Sequence, residues 1–212
     1  MVLLRELLAG STRFNDLRRG VPKMSPTLLA QRLRDLEQAG IVARRPVKSE
    51  KSVFEYRLTD AGEDLRPLVI AMGTWGQRWV ESQLSLRNLD PSLLMWDMRR
   101  NLNPAPLPNQ RVVIQFLYHD LPRSKRDWWL VVEPDGEVDL CWSEPGFEVD
   151  LYVTTDLKTM TAIWMGLQTV RESSKSIQFD GDRKLQRTMQ TWLGLSPFAA
   201  EKNQLSGTPL RA

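Results

Sequence analysis

Apolar residues recur at helical spacing through the first third of the chain, break for one alternating stretch, and give way to strand-like runs after residue 110. Arg13 to Val42 reads as two short helices, a turn, a third helix and the start of a strand. The third helix, Ser25 to Gln38, has the sharpest boundaries. Leu29, Leu33 and Leu36 fall at i, i+4 and i+7 and form one buried face. Ser25 can accept an orphan backbone N–H as N-cap, Pro26 suits the first helical position, and Gly40 can take the left-handed conformation that ends the helix. The period then changes. Ile41 to Arg45 predicts a strand, Pro46 to Ser52 a polar loop, and Val53 to Thr59 a returning strand in which Val53, Glu55 and Arg57 alternate with Phe54, Tyr56 and Leu58.

Asp60 to about Leu86 returns to helical spacing, capped by Thr59 or Asp60. Leu65, Leu68, Val69, Met72, Trp75 and Trp79 form a stripe longer than one small helical domain needs to cover, so a second protomer is expected against it, unless it packs on a second domain. A boundary is expected from Asn88 to Pro91, followed by a helix opened by Pro91 and the Pro-rich linker Asn103 to Asn109. Beyond it, Arg111–Tyr118, Asp127–Glu133, Glu137–Trp142 and Glu148–Thr154 predict strands, with Asp135-Gly136 as a hairpin turn. A helix over Asp156–Leu167, a strand over Ser176–Phe179 and a helix over Gly181–Leu193, with Asp182 as N-cap, complete the pattern. The fold class is α+β: a mainly helical N-terminal unit with a β-hairpin, then a five-stranded, mostly antiparallel sheet covered by helices. The expected domains are residues 1–86, a connecting helix and linker over 87–110, a second domain over 111–198 and a flexible tail over 199–212.

Charge sharpens this division. The 212 residues carry 29 Lys and Arg against 26 Asp and Glu. Residues 1–86 hold 14 of the basic and 10 of the acidic side chains, so the positive excess lies in the first unit, modest but of the sign that a nucleic-acid partner requires. One cysteine, Cys141, excludes an internal disulfide and suits a reducing compartment. The apolar start is interrupted by Arg5 and Glu6 without a cleavage pattern, and no run approaches membrane-spanning length, so a cytoplasmic chain without a membrane partner is expected. A single histidine, His119, no clustered metal ligands and no phosphate-cradling glycine loop leave catalysis without support, and no cofactor is implied.

Two surfaces carry candidate chemistry. Thr27, Ala30, Gln31 and Arg34 share the helix face away from the leucines, small at its start, with an amide and a guanidinium further along. Such a face suits the major groove of double-stranded DNA, where Arg reads guanine edges and Gln adenine edges. Ser25, Pro26, Thr27, Gln31, Arg32 and Arg34 are the expected DNA contacts on this helix. The following hairpin adds Arg44, Arg45, Lys48 and Lys51 for phosphates, which set affinity and register without reading sequence. The second surface is apolar. Met160, Ile163, Trp164 and Leu167 on one helix, with Phe179 and Trp192, could line a small-molecule pocket, although a Met and aromatic stripe at this spacing is more often plain core.

The segment LLRELLAGSTRFNDLRRGVPKMSPTLLAQRLRDLEQAGIVARR, followed by FEYRLTDAGEDLRPLV, resembles the HxlR-type winged-helix transcriptional regulators, relatives of the MarR type. Matching positions include Leu3, Leu7, Gly10, Arg13, Phe14, Leu17, Ser25, Leu29, Leu33, Gly40, Tyr56, Thr59 and Gly62. The resemblance implies a homodimer that places one recognition helix per protomer in the major groove of a near-palindromic site. Members usually have one more helix before the segment that starts here at Val2, often with an oxidant-sensing cysteine. Redox sensing is not carried over, because Cys141 lies far outside the domain. VDLYVTTDLKTMTAIWMGL with SIQFDGDRKLQRTMQTWLGL resembles the sterol-carrier-protein type-two-like domain through Asp156, Gly166, Gly181, Asp182, Leu185 and Leu193, which implies an apolar cavity between sheet and helices. The expectation is a DNA-binding regulator with an apolar small-molecule effector site. The alternative is a lipid-binding or carrier protein whose winged helix serves protein–protein contacts.

Overall fold

The computed structural model describes residues 1–47, 50–80, 86 and 89–205, without the side chains of 50–52. The chain divides into two compact units, Met1–Gly76 and Gln77–Ala212.

The first unit opens with α1 (Val2–Leu8) and α2 (Phe14–Gly20), then a turn and α3 (Pro26–Gln38). Within Arg13–Val42 only one helix, α2, precedes the turn, where two were expected; α1 lies before that stretch and is separated from α2 by Gly10, which takes φ +94. Leu3, Leu7, Leu17, Leu29, Leu33 and Val42 pack as one core. Ser25 caps α3 by accepting from the Leu28 N–H at 3.2 Å, Pro26 opens the helix, and Gly40 takes φ +71 just past its end.

Strands β1 (Val42–Val47) and β2 (Glu50–Leu58) pair antiparallel, with Val42 opposite Leu58, Arg44 opposite Tyr56 and Pro46 opposite Phe54. The hairpin is tighter than expected. Pairing runs through Pro46 to Val47, with a register shift there, where a longer polar loop was predicted. Proline lacks an N–H donor but is tolerated at an edge or a bulge. Thr12 and Arg13 add a third, short pairing: the Tyr56 N–H donates to the Thr12 carbonyl at 2.8 Å, and Arg13 bridges Glu55.

The predicted single helix from Asp60 is two. Thr59 caps α4 (Asp60–Glu63), a turn follows at Asp64 and Leu65, and α5 runs over Arg66–Trp79. Pro67 explains the break: at the second position of α5 it has no N–H to extend the preceding turn. The expected continuation over 81–85 lies outside the described residues.

In the second unit, Asp90 caps α6 (Pro91–Asn101) by accepting from the Ser92 and Leu93 N–H groups. Then come β3 (Val112–Tyr118), a single turn α7 (Arg123–Arg126), β4 (Asp127–Val132), β5 (Val138–Cys141), β6 (Leu151–Thr155), α8 (Leu157–Trp164), β7 (Ile177–Gly181) and α9 (Arg183–Trp192). The sheet order is β5-β4-β3-β6-β7, parallel only between β3 and β6. Period-two alternation sends Val112, Ile114, Phe116 and Tyr118 of β3, and Leu130 of β4, into a core closed by Met95, Met160, Ile163, Met189 and Trp192. The opposite face carries a small cluster of Val113, Trp129 and Val131. Gly136 takes φ +88 in the β4–β5 turn, and Asp156 and Asp182 cap α8 and α9. No described helix is long and apolar enough to cross a membrane.

Candidate nucleic-acid interface

Burial of Leu29 and Leu33, both essentially inaccessible, fixes the rotation of α3. Thr27, Gln31, Arg32 and Arg34 are therefore exposed, as the helical period requires. The exposed side chains are not independent. Gln31 Nε2 donates to Asp35 Oδ1 at 2.8 Å, Arg34 donates to Gln31 Oε1 at 2.7 Å, and Arg32 donates to Asp35 Oδ2 at 3.2 Å. Asp35 was not among the expected contacts, yet it holds two of them.

On the hairpin, Arg44 and Arg45 are exposed. The Arg44 guanidinium lies over the Phe54 ring, 3.7 Å from its centroid, which fixes a long cation at low entropic cost. Lys48 lies outside the described residues. Lys51 lies in β2, with its side chain outside the described set. Between hairpin and α2 runs an open groove of about 620 Å³ lined by Arg13, Phe14, Arg19, Arg44, Phe54 and Tyr56, among others. Arg13 and Arg19 are cations the sequence did not single out; only the pairing of Thr12 and Arg13 with β2 brings them beside Arg44. Hydrogen bonds from Arg57 at 2.7 and 2.9 Å hold the Glu55 carboxyl below its ordinary pKa, and the charges of Arg13 and Arg45 act in the same direction. The hairpin thus carries a fixed negative charge among its cations.

Of the stripe expected at a dimer interface, Leu65 and Val69 are half-buried, whereas Leu68, Met72, Trp75 and Trp79 are 60%, 54%, 61% and 51% exposed. These four fall at i, i+4, i+7 and i+11, and α5 has no buried residue at all.

The expected pocket residues separate. Met160, Ile163 and Trp192 have no accessible surface and belong to the packed core, while Trp164, Leu167 and Phe179 are half-buried. Leu167 alone of the six lines an open groove of about 750 Å³, beside Lys158, Thr159, Gly166, Gln168, Glu201 and others. No group of three or more metal-ligating side chains occurs among the described residues.

A family model described as HxlR-like helix-turn-helix matches residues 1–84. The HTH-type transcriptional regulator YdeP of Bacillus subtilis, itself uncharacterised, is 36% identical over 78 residues, 37% of this chain and 61% of its own length. The equally uncharacterised HTH-type transcriptional regulator Rv3095 of Mycobacterium tuberculosis is 38% identical over 123 residues, 51% of this chain and 77% of its own. The chain belongs to the HxlR-like helix-turn-helix family. Its N-terminal unit is thus an HxlR-type DNA-binding module of a regulatory class. The match spans about three-fifths of YdeP's length. Sterol Carrier Protein 2 from Yarrowia lipolytica, in its apo form, is similar over 55% of this chain and 98% of its own, at 14% identity and a TM-score of 0.35, a weak likeness of fold.

Proposed function

We propose that this HxlR-like chain is a transcriptional regulator that binds operator DNA as a homodimer. The observation that carries the reading is the exposed face of α3, where Gln31 and Arg34 stand on a helix whose rotation is fixed by Leu29 and Leu33 and whose start is capped by Ser25. Thr27 and Pro26 at the helix start let the backbone approach the groove floor. Arg44 and Arg45 on the hairpin, with Arg13 and Arg19 at the groove beside it, contact phosphates. The exposed stripe of α5 supports the homodimer: four large apolar side chains at helical spacing are each little more than half exposed, so burying the remainder against a second copy would contribute about half of the roughly 1.5–3 kcal/mol of full burial.

The second unit, on this reading, is an effector module for an apolar small molecule. Met160, Ile163 and Trp192 form the wall behind such a site rather than its surface, and entry is at the Leu167 groove. A ligand changes operator affinity only by binding the DNA-competent and incompetent states unequally.

The test is duplex binding by the purified chain, on its upstream promoter region and on a scrambled duplex, at two salt concentrations. Promoter-selective binding that weakens with salt, by about 0.9 in the log–log slope for each phosphate contacted, is expected. Absent or salt-insensitive binding would overturn the reading.

A further inference from the structure

Asp35 stands on the solvent side of α3 between the side chains expected to read DNA. Both of its oxygens are engaged: Oδ1 accepts from Gln31 Nε2 at 2.8 Å and Oδ2 from Arg32 at 3.2 Å. At the far end of the same amide, Gln31 Oε1 accepts from Arg34 at 2.7 Å. A carboxylate only accepts and a guanidinium only donates. The Gln31 amide therefore has one orientation that satisfies both neighbours, NH₂ toward Asp35 and carbonyl toward Arg34. A free glutamine can offer donor and acceptor together to an adenine edge. Here each end already holds a neighbour, which fixes how the amide is turned and where its remaining N–H and lone pair can point. Arg34 uses one of its five N–H groups on Gln31 and keeps the others for a guanine edge.

We propose that Asp35 is a positioning residue that sets base preference. By orienting Gln31 it makes the Gln31–Arg34 pair a guanine reader and withdraws Gln31 from adenine. The inference rests on the DNA-binding reading and adds to it which base the pair selects. It also reassigns Arg32. That guanidinium sits on Asp35 and offsets a negative charge that would otherwise face phosphates, so Arg32 supports the reading pair instead of touching bases.

The test is selection of binding sites from a randomised duplex pool by the full chain. Titration of the selected duplex and its single-base variants follows, with wild type, Asp35→Ala, Asp35→Leu and the double variant Gln31→Glu with Asp35→Ala. Wild type is expected to select guanine at one position per half-site, and replacing it with adenine should cost about tenfold in affinity. In both single variants that ratio should fall to about threefold or less, with binding to an unselected duplex no weaker than wild type. In the double variant the carboxylate introduced at position 31 accepts from Arg34 whichever way it turns, so the guanine preference returns without Asp35. A purely structural role would lower affinity for all duplexes alike and leave the ratio unchanged, which overturns the proposal. So does retention of the wild-type ratio in Asp35→Leu, a variant of similar branched shape without an acceptor that covers the case in which Asp35→Ala does not fold. A wild-type chain that binds duplex but selects no sequence overturns the guanine reader while leaving DNA binding standing; one that binds no duplex overturns both.

Discussion

Gly194 takes φ +61, and a Cβ there would run into the backbone carbonyl of Asn101 at the end of α6. The conformation disfavours any L side chain and the neighbour is main chain, which cannot step aside. Gly194→Ala should therefore destabilise the chain by roughly 1–3 kcal/mol, read as a shift of the denaturant midpoint without a change in slope. Arg44 gives a prediction of a different kind, about partner and not fold. It is exposed and stacked on Phe54, so its loss removes a preset phosphate contact and little core packing. Arg44→Ala should weaken binding to every duplex and reduce the salt slope by about 1, while Arg34→Ala should lower affinity mainly for the preferred sequence. Equal effects of the two on promoter and scrambled DNA would contradict the division into reading and phosphate contacts.

At the scale of elements, the start of α3 and its buried face are separable. Ser25→Ala removes one hydrogen bond at the helix start and should cost about 1 kcal/mol. Leu29→Ala empties a fully buried site and should cost about 2–5 kcal/mol, and thermal or denaturant unfolding distinguishes the two. The starts of α3, α4 and α9 were legible because caps are local: Ser25, Thr59 and Asp182 each accept from backbone N–H groups within three residues. The division of the helix at Asp64 and Leu65 was less legible. The apolar spacing continues across it, and only Pro67 marks it.

At the scale of the whole molecule, the α5 stripe leads to a linked prediction. If Leu68, Met72, Trp75 and Trp79 pair with a second copy, Trp75→Asp should turn a dimer into a monomer by sedimentation. Near-palindromic operator affinity should fall with it, by far more than binding to a non-specific duplex. A wild-type chain that sediments as a monomer at all concentrations would remove the homodimer from the reading.

The helical and alternating periods, the caps and the turn glycines determined which segments become helix and strand, because each of these signals acts within a few residues of itself. The leucines of α3 also determined which of its faces stays in water, since rotation about a helix axis is set by its buried stripe. Tertiary structure alone decided the rest. The parallel pairing of β3 with β6 brings together segments over 30 residues apart. Arg13 and Arg19 join Arg44 only because Thr12 pairs with β2. The aromatic and methionine residues that read equally as pocket or core were divided by packing: Met160, Ile163 and Trp192 went inside and Leu167 to a groove. Side-chain chemistry says what a residue can bind; only the placement of its neighbours decides whether anything can reach it.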